Sequence, residues 1–203
     1  SLSLDSSYKM AQQVIEGEAA DIFISAHSTF VTDLKQRGLI DVSSVTELAG
    51  NSLALVASKS TKINPKLLHE KDPAILLKRI SDRAILVIAD PAEVPLGMYT
   101  QSTLTRLGVW ELLKQRVIRT ENASSTLYLI AKGKTIGITY YTDAYNHPEI
   151  NILARLPDEL HTPITYQAAV VAGENMSLAR GFLNFLTSAE AKKVFAKYQF
   201  VVE

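Results

Sequence analysis

The sequence predicts an α/β fold, because strand signals and helix signals alternate along the whole chain. Its 203 residues are 47% hydrophobic, which is enough for one or two compact units with cores of their own. The continuous apolar run at residues 84–89 is typical of a strand covered on both faces. Repeated strand-then-helix units predict parallel sheets, in which ligands bind at the carboxyl ends of strands.

Composition excludes several classes of protein. Positive and negative formal charges balance and the pI is near 6.9, so no basic surplus indicates a nucleic-acid partner. The absence of cysteine excludes disulfides, thiolate metal sites and cysteine nucleophiles. No apolar run approaches the roughly 20 residues that span a bilayer. The first residues also lack the basic and apolar regions of a signal peptide.

The first half of the chain alternates short strands with amphipathic helices. Residues 1–4 read as the end of a strand, and Ser6-Ser7 open a helix that Gly17 closes. A short buried strand follows at 22–25, and Ser28 or Thr29 is expected to cap the next helix. The remaining predictions in this half are a strand at 53–57, an irregular stretch at 58–71 with Pro65 in a turn, a helix at 73–80 and a strand at 84–89.

The second half repeats the pattern. Gly108 separates two helical pieces at 100–107 and 109–113, and Ser124 or Ser125 opens another helix. Short apolar runs, bounded by turn residues, predict the strands at 117–118, 136–140, 150–154 and 164–171. Residues 156–161 read as a loop, and two helices at 177–186 and 189–197 end the chain.

Several strand-to-helix turns carry groups that suit a small tetrahedral oxyanion. First-turn amides of a helix have no intrahelical partner and lie at the positive end of its dipole, and Ser and Tyr hydroxyls add donors without charge. Such groups occur at Ser6-Ser7, Ala26, 95–97, Asn122-Ala123 and Tyr140. Each taken alone is more simply a helix cap, a turn or a core residue, so the ordered set is what indicates a site.

The ordered set resembles the molybdate-binding proteins of bacterial molybdate importers. The matching segments are Ser6-Ser7, Ala20-Asp-Ile-Phe-Ile-Ser-Ala26, the turn 89–99 and the run 135–144 that contains Tyr140. The resemblance runs from about residue 3 to Phe200. It implies a type II periplasmic-binding-protein fold, with a mixed sheet flanked by helices in each of two lobes. Residues 1–50 with 166–203 would form the first lobe and 51–165 the second, with hinges near 50–51 and 166–167.

The resemblance also implies the site residues. Ser7 would donate through its hydroxyl and amide, Ala26, Leu96 and Ala123 through backbone amides, and Tyr140 through its phenol. Ser7 and Tyr140 would contact oxygens of molybdate, with no direct coordination of the metal. No cation would touch the anion, and no cofactor is expected.

The expected function is capture of molybdate or tungstate in the interlobe cleft and delivery to an ABC-transporter permease in the membrane, from a periplasmic location. An all-donor site favours full dianions over phosphate, whose proton would lack an acceptor at a cost of about 1–3 kcal/mol. Two alternatives stay open: the anion-sensing domain of a cytoplasmic transcription regulator, and a binder of another oxyanion such as sulfate. An enzyme is not expected, because no nucleophile elbow, nucleotide-binding loop or metal-ligand spacing occurs.

The family has a strand and a helix before the point that matches Ser1. The sequence therefore predicts a first lobe that lacks this unit, with an exposed strand edge. Three alternatives stay open for this gap: a further segment fills it, a partner chain fills it in a strand-swapped or edge-paired dimer, or the lobe has repacked with a weakened site.

Overall fold

The computed structural model describes residues 1–64, 70, 72–81 and 85–202. The chain divides into two compact units, Ser1–Asn51 with Ile164–Glu203 and Ser52–Pro163. The crossings follow Asn51 and Pro163, whereas the sequence placed the second crossing near 166–167. Residues 166 and 167 lie inside one continuous strand of the first unit, where Tyr166 pairs with Ala49 and Gln167 pairs with both Ser25 and Glu47, so the division falls before that strand. Motion of the units about these crossings stays a prediction.

Strands and helices follow one another in the order expected of an α/β chain. The helices are α1 (Ser7–Ile15), α2 (Ser28–Gln36), α3 (Pro73–Ser81), α4 (Pro95–Arg106), α5 (Trp110–Leu113), α6 (Ala123–Gly133), α7 (Tyr141–Ala144), α8 (Met176–Leu186) and α9 (Ala189–Lys197). The strands are β1 (Ile22–Ser25), β2 (Thr46–Asn51), β3 (Leu53–Ser58), β4 (Leu86–Ala89), β5 (Val117–Thr120), β6 (Ile136–Tyr140), β7 (Ile150–Arg155) and β8 (Ile164–Val170). Short 3-10 turns lie at Val42–Ser44 and Asp158–Leu160. No helix in the described ranges has the length and apolarity to cross a membrane.

The first unit is built on a sheet of order β1-β8-β2, in which both described pairings are antiparallel. α8 packs its buried face against this sheet, where Ala179 and Leu183 meet Leu48, Ala168 and Val170. The apolar residues of α8 recur at helical spacing, so one stripe of the helix faces the sheet and is removed from water.

The second unit is built on a five-stranded mixed sheet of order β5-β4-β6-β3-β7. β4 runs parallel to both β5 and β6, whereas β3 runs antiparallel to β6 and β7. All six side chains of β3 and all four of β4 are buried, as expected of strands covered on both faces. The prediction of parallel sheets thus holds for β4, β5 and β6. Their carboxyl ends lie at one edge of the sheet.

Some sequence-based assignments were wrong. Residues 1–4 form no strand, because no strand among the described residues pairs with them, and Leu2 and Leu4 are 81% and 82% exposed. The cap of α2 is His27, not Ser28 or Thr29: its Nδ1 accepts the Thr29 amide proton at 3.2 Å. β2 was missed because its apolar signal is weak, and pairing with β8 creates it.

Two further differences concern α4 and the long irregular stretch. α4 begins at Pro95, five residues before the predicted start, because proline at the first helical position has a backbone angle that suits the helix. Residues 95–97 are therefore the first helical turn instead of a loop before it. The turn predicted at Pro65 and the first residue of the predicted strand at 84–89 lie outside the described residues.

Candidate functional site

Ser7 and Ala26 are brought together in the first unit. Ser6 is the N-cap of α1, and its side chain accepts the Lys9 amide proton at 3.3 Å, so Ser7 is the first residue of the helix. The Ala26 amide, just past the carboxyl end of β1, donates to Ser7 Oγ at 3.0 Å in a buried position. The structure thus joins two predicted donors by one hydrogen bond. A direct bond from the Ala26 amide to a ligand would require that bond to open.

The charge next to this pair is balanced locally. Asp5 accepts the Ser6 amide proton at 2.7 Å and its other oxygen lies 3.5 Å from the Lys9 ammonium. Both side chains are partly solvent-exposed, so the ion pair is screened. It nevertheless reduces the negative potential that Asp5 would otherwise present beside Ser7.

His27 follows Ala26 and caps α2. Burial lowers the pKa of the His27 imidazole, because desolvation disfavours the charged ring. The neutral ring suits its contact, since Nδ1 accepts the Thr29 amide proton and a protonated nitrogen could not.

In the second unit, the three other predicted donors follow the ends of three adjacent parallel strands. Leu96 follows β4, Ala123 follows β5, and Tyr140 is the last residue of β6. β4 pairs with both neighbours in parallel, so all three strands end at the same sheet edge. That edge is where open α/β sheets bind ligands.

Leu96 is the second residue of α4 and is fully buried. The Met98 amide is bonded to Val94 O at 3.0 Å, so the amides of Leu96 and Gly97 precede the first intrahelical bond. Gly97 allows the helix to start this close to β4, because a Cβ there would lie 2.4 Å from Asp90 O and 2.5 Å from Ala89 O. The glycine therefore sets the position of the Leu96 amide.

Ala123 is the first residue of α6, and a capping box holds its turn. The Asn122 side chain accepts the Ser125 amide proton at 2.8 Å, and Ser125 Oγ accepts the Asn122 amide proton at 3.2 Å. This arrangement uses the amide of the third helical residue and does not involve that of Ala123. The positive end of the α6 dipole thus lies at the edge of the sheet.

Tyr140 completes this set of donors. Its ring is 4% exposed and its phenolic oxygen is buried. Pairing of Tyr140 with Leu53 holds the end of β6 against β3. A buried phenol at this edge is a neutral donor whose position the sheet determines.

The predicted site residues present neutral donors and three helix N-termini, those of α1, α4 and α6, and such groups suit an anion rather than a cation. Within the described ranges no group of three His, Cys, Asp or Glu side chains could hold a metal ion. The sequence placed residues 95–97 and Asn122 in candidate turns, but it did not predict which groups hold the donors in place: Ser25, Gly97 and the Asn122–Ser125 box. Only the last had a recognisable signal, a cap residue followed three positions later by a side chain that reaches back.

Comparison with known proteins gives relatives and a shared fold. The molybdate-binding protein ModA of Haemophilus influenzae is 33% identical over 98% of this chain and 77% of its own length. The structure of the periplasmic molybdate-binding protein of Azotobacter vinelandii superposes with a TM-score of 0.81 at 18% identity, covering 99% of this chain and 86% of that chain. The sulfate-binding protein SubI of Mycobacterium tuberculosis shares the fold, with a TM-score of 0.71 at 16% identity over 96% and 73% of the two chains.

The family match covers almost the whole sequence. Residues 1–201 match the family described as bacterial extracellular solute-binding protein. The predicted resemblance to molybdate-binding proteins and the predicted two-lobed α/β fold class are confirmed. The relatives are solute-binding proteins and not enzymes, in agreement with the sequence-based expectation. The chain belongs to the bacterial extracellular solute-binding protein family.

Proposed function

We propose that this protein binds molybdate or tungstate through neutral hydroxyl and backbone N–H donors and delivers the anion to the permease of an ABC importer. The location proposed for this protein is the periplasm. The anion is the cargo, and the donors touch its oxygens.

One observation carries the proposal: Leu96, Ala123 and Tyr140 follow the carboxyl ends of three adjacent parallel strands. Two of them lie in the first turn of helices of 12 and 11 residues, whose dipoles favour negative charge. Ser7 and Ala26, joined by their hydrogen bond, supply the donors of the first unit.

The chemistry of the donors favours a full dianion. Each proposed group can donate a hydrogen bond, and none is a carboxylate, which could only accept one when ionised. Molybdate and tungstate are fully ionised near neutral pH, so they match such a site, whereas monohydrogen phosphate would have to donate its proton to a hydroxyl that could otherwise donate to the anion. This mismatch costs about 1–3 kcal/mol.

Sulfate is the second candidate, since a sulfate-binding protein shares the fold. It is also a full dianion but is smaller. Discrimination between sulfate and molybdate therefore depends on the size of the site and not on protonation.

Thermal unfolding with millimolar molybdate, tungstate, sulfate or phosphate, at constant ionic strength set with chloride, tests the proposal. A ligand at 100 times its Kd that binds only the folded state stabilises by about 2.7 kcal/mol. We expect molybdate and tungstate to raise the midpoint and phosphate to leave it unchanged. A shift with sulfate alone would favour the second candidate, and no shift with any anion would refute oxyanion binding. Calorimetric titration then gives the Kd.

A further inference from the structure

Ser25 holds the turn that carries Ala26. It is the last residue of β1 and its side chain is fully buried. Its hydroxyl donates to His27 O at 2.7 Å and accepts the His27 amide proton at 3.1 Å. One oxygen thus bonds to both backbone groups of the residue after Ala26, which fixes the path of the chain through this turn.

The turn directs the Ala26 amide at Ser7. The distance from the Ala26 nitrogen to Ser7 Oγ is 3.0 Å, and in this bond Ser7 is the acceptor. The hydroxyl proton of Ser7 takes no part in this bond, so it can be donated to another acceptor. A hydroxyl that accepts one hydrogen bond is polarised and becomes a better donor in the next.

We propose that Ser25 is a positioning residue of the oxyanion site: it orients the Ala26 amide, which in turn orients and polarises the Ser7 hydroxyl as the donor to the anion. This inference rests on the proposed function. In this inference the Ala26 amide does not contact the anion. It acts only on the Ser7 hydroxyl, which donates to the anion.

The alternative is that Ser25 is simply a buried serine that needs hydrogen-bond partners. Ser44 provides the matched control. It lies in the same unit, is buried, accepts the Val170 amide proton at 2.8 Å and donates to Asp41 O at 2.6 Å. Its bonds support the sheet at β8 and involve neither Ser7 nor Ala26. Deleting either hydroxyl removes two hydrogen bonds of a buried serine, so both variants should lose comparable stability.

The test compares Ser25→Ala and Ser44→Ala by calorimetric titration with molybdate, at a temperature at which both variants are folded, and by urea unfolding without anion. We expect Ser25→Ala to raise the Kd about tenfold, the loss expected of a neutral hydrogen bond. Ser44→Ala should lower stability and keep the Kd within about twofold of wild type. If Ser25→Ala does not fold, Ser25→Cys keeps the volume and replaces the hydroxyl by a weak donor.

A double-mutant cycle separates positioning from general damage. Because Ser25 is proposed to act through Ser7, Ser7→Ala with Ser25→Ala should bind no more weakly than Ser7→Ala alone. Additive losses, equal losses in the Ser25 and Ser44 variants, or a wild-type Kd in Ser25→Ala would each overturn the inference and leave the proposed function standing. A wild-type protein that binds no oxyanion would overturn both.

Discussion

At the scale of single residues, the most direct prediction concerns the phenolic hydroxyl of Tyr140 and the affinity for molybdate. Tyr140→Phe keeps the buried ring that packs at the end of β6 and removes only the phenolic donor. We expect the Kd for molybdate to rise about tenfold, because one neutral hydrogen bond is lost. Tyr128→Phe, at an exposed ring on α6, is the control. Unchanged affinity in Tyr140→Phe, measured calorimetrically, would remove Tyr140 from the site.

A second prediction concerns His27 and the loss of folding stability as pH falls. Burial lowers its pKa in the folded state below the ordinary value of 6.5. As pH falls, His27 therefore takes up a proton in the unfolded chain before it does so in the folded protein. The stability that the neutral ring contributes is present above pH 6.5 and is lost as pH falls through the pKa of the folded state. Protonation also removes the acceptor for the Thr29 amide.

We expect His27→Ala to lose the cap, about 1 kcal/mol of the free energy of unfolding at neutral pH. His27→Asn keeps a capping acceptor and should reduce the loss of stability between pH 6.5 and 5. Urea unfolding across this range measures both. A wild-type acid slope in His27→Asn would show that His27 is not the titrating group.

At the scale of elements, the start of α4 against β4 is the contact to test. Gly97→Ala places a methyl group 2.4 Å from Asp90 O and 2.5 Å from Ala89 O, so the helix must shift. We expect a loss of about 1–3 kcal/mol, with weaker anion binding because the Leu96 amide moves with the helix.

Gly181→Ala is the matched control for this substitution. It also lies in a helix, α8, and an added Cβ there meets nothing within 4 Å. It should stabilise by up to about 1 kcal/mol, since alanine favours the helix more than glycine does. If both variants lose equal stability in urea unfolding, the close approach at Gly97 is not the cause.

At the scale of the whole molecule, His27 and Asp143 have shifted pKa values that change stability with pH in opposite directions. Burial raises the pKa of the Asp143 carboxyl to about 6, and the hydrogen bond from Thr142 opposes this rise. The folded state then holds a proton that the unfolded state releases from about pH 3.8 upward. The contribution of Asp143 to the free energy of unfolding is therefore complete below pH 3.8 and is lost as pH rises to about 6. The contribution of His27 behaves in the opposite way and is lost as pH falls.

Asp143→Asn removes the first of these effects. We expect the variant to be more stable than wild type at pH 8, by on the order of 1–3 kcal/mol, with the difference vanishing near pH 4. Asp158→Asn, at a side chain that is 58% exposed, should change stability little at either pH. Unfolding curves at pH 8 and pH 4 test this prediction. An equal change in stability in Asp143→Asn at both pH values would contradict burial as the cause of the raised pKa.

Much of the fold was predictable from sequence because its signals are local. The apolar runs of β3 and β4, the spacing of α8 and α9, and the serine and asparagine residues at helix starts each reflect a requirement of one element. β2 was missed and residues 1–4 were wrongly assigned to a strand, because a strand exists only through its hydrogen-bonded neighbour.

The sequence by itself determined the α/β class, the resemblance to molybdate-binding proteins and the order of Ser7, Ala26, Leu96, Ala123 and Tyr140 along the chain. Only the tertiary structure decided that β5, β4 and β6 are adjacent and end at one sheet edge, and that the Ala26 amide donates to Ser7. The order of strands in a sheet, and a hydrogen bond between residues 19 apart, depend on how distant segments of the chain pack together. The local spacing of apolar residues contains no information about that packing.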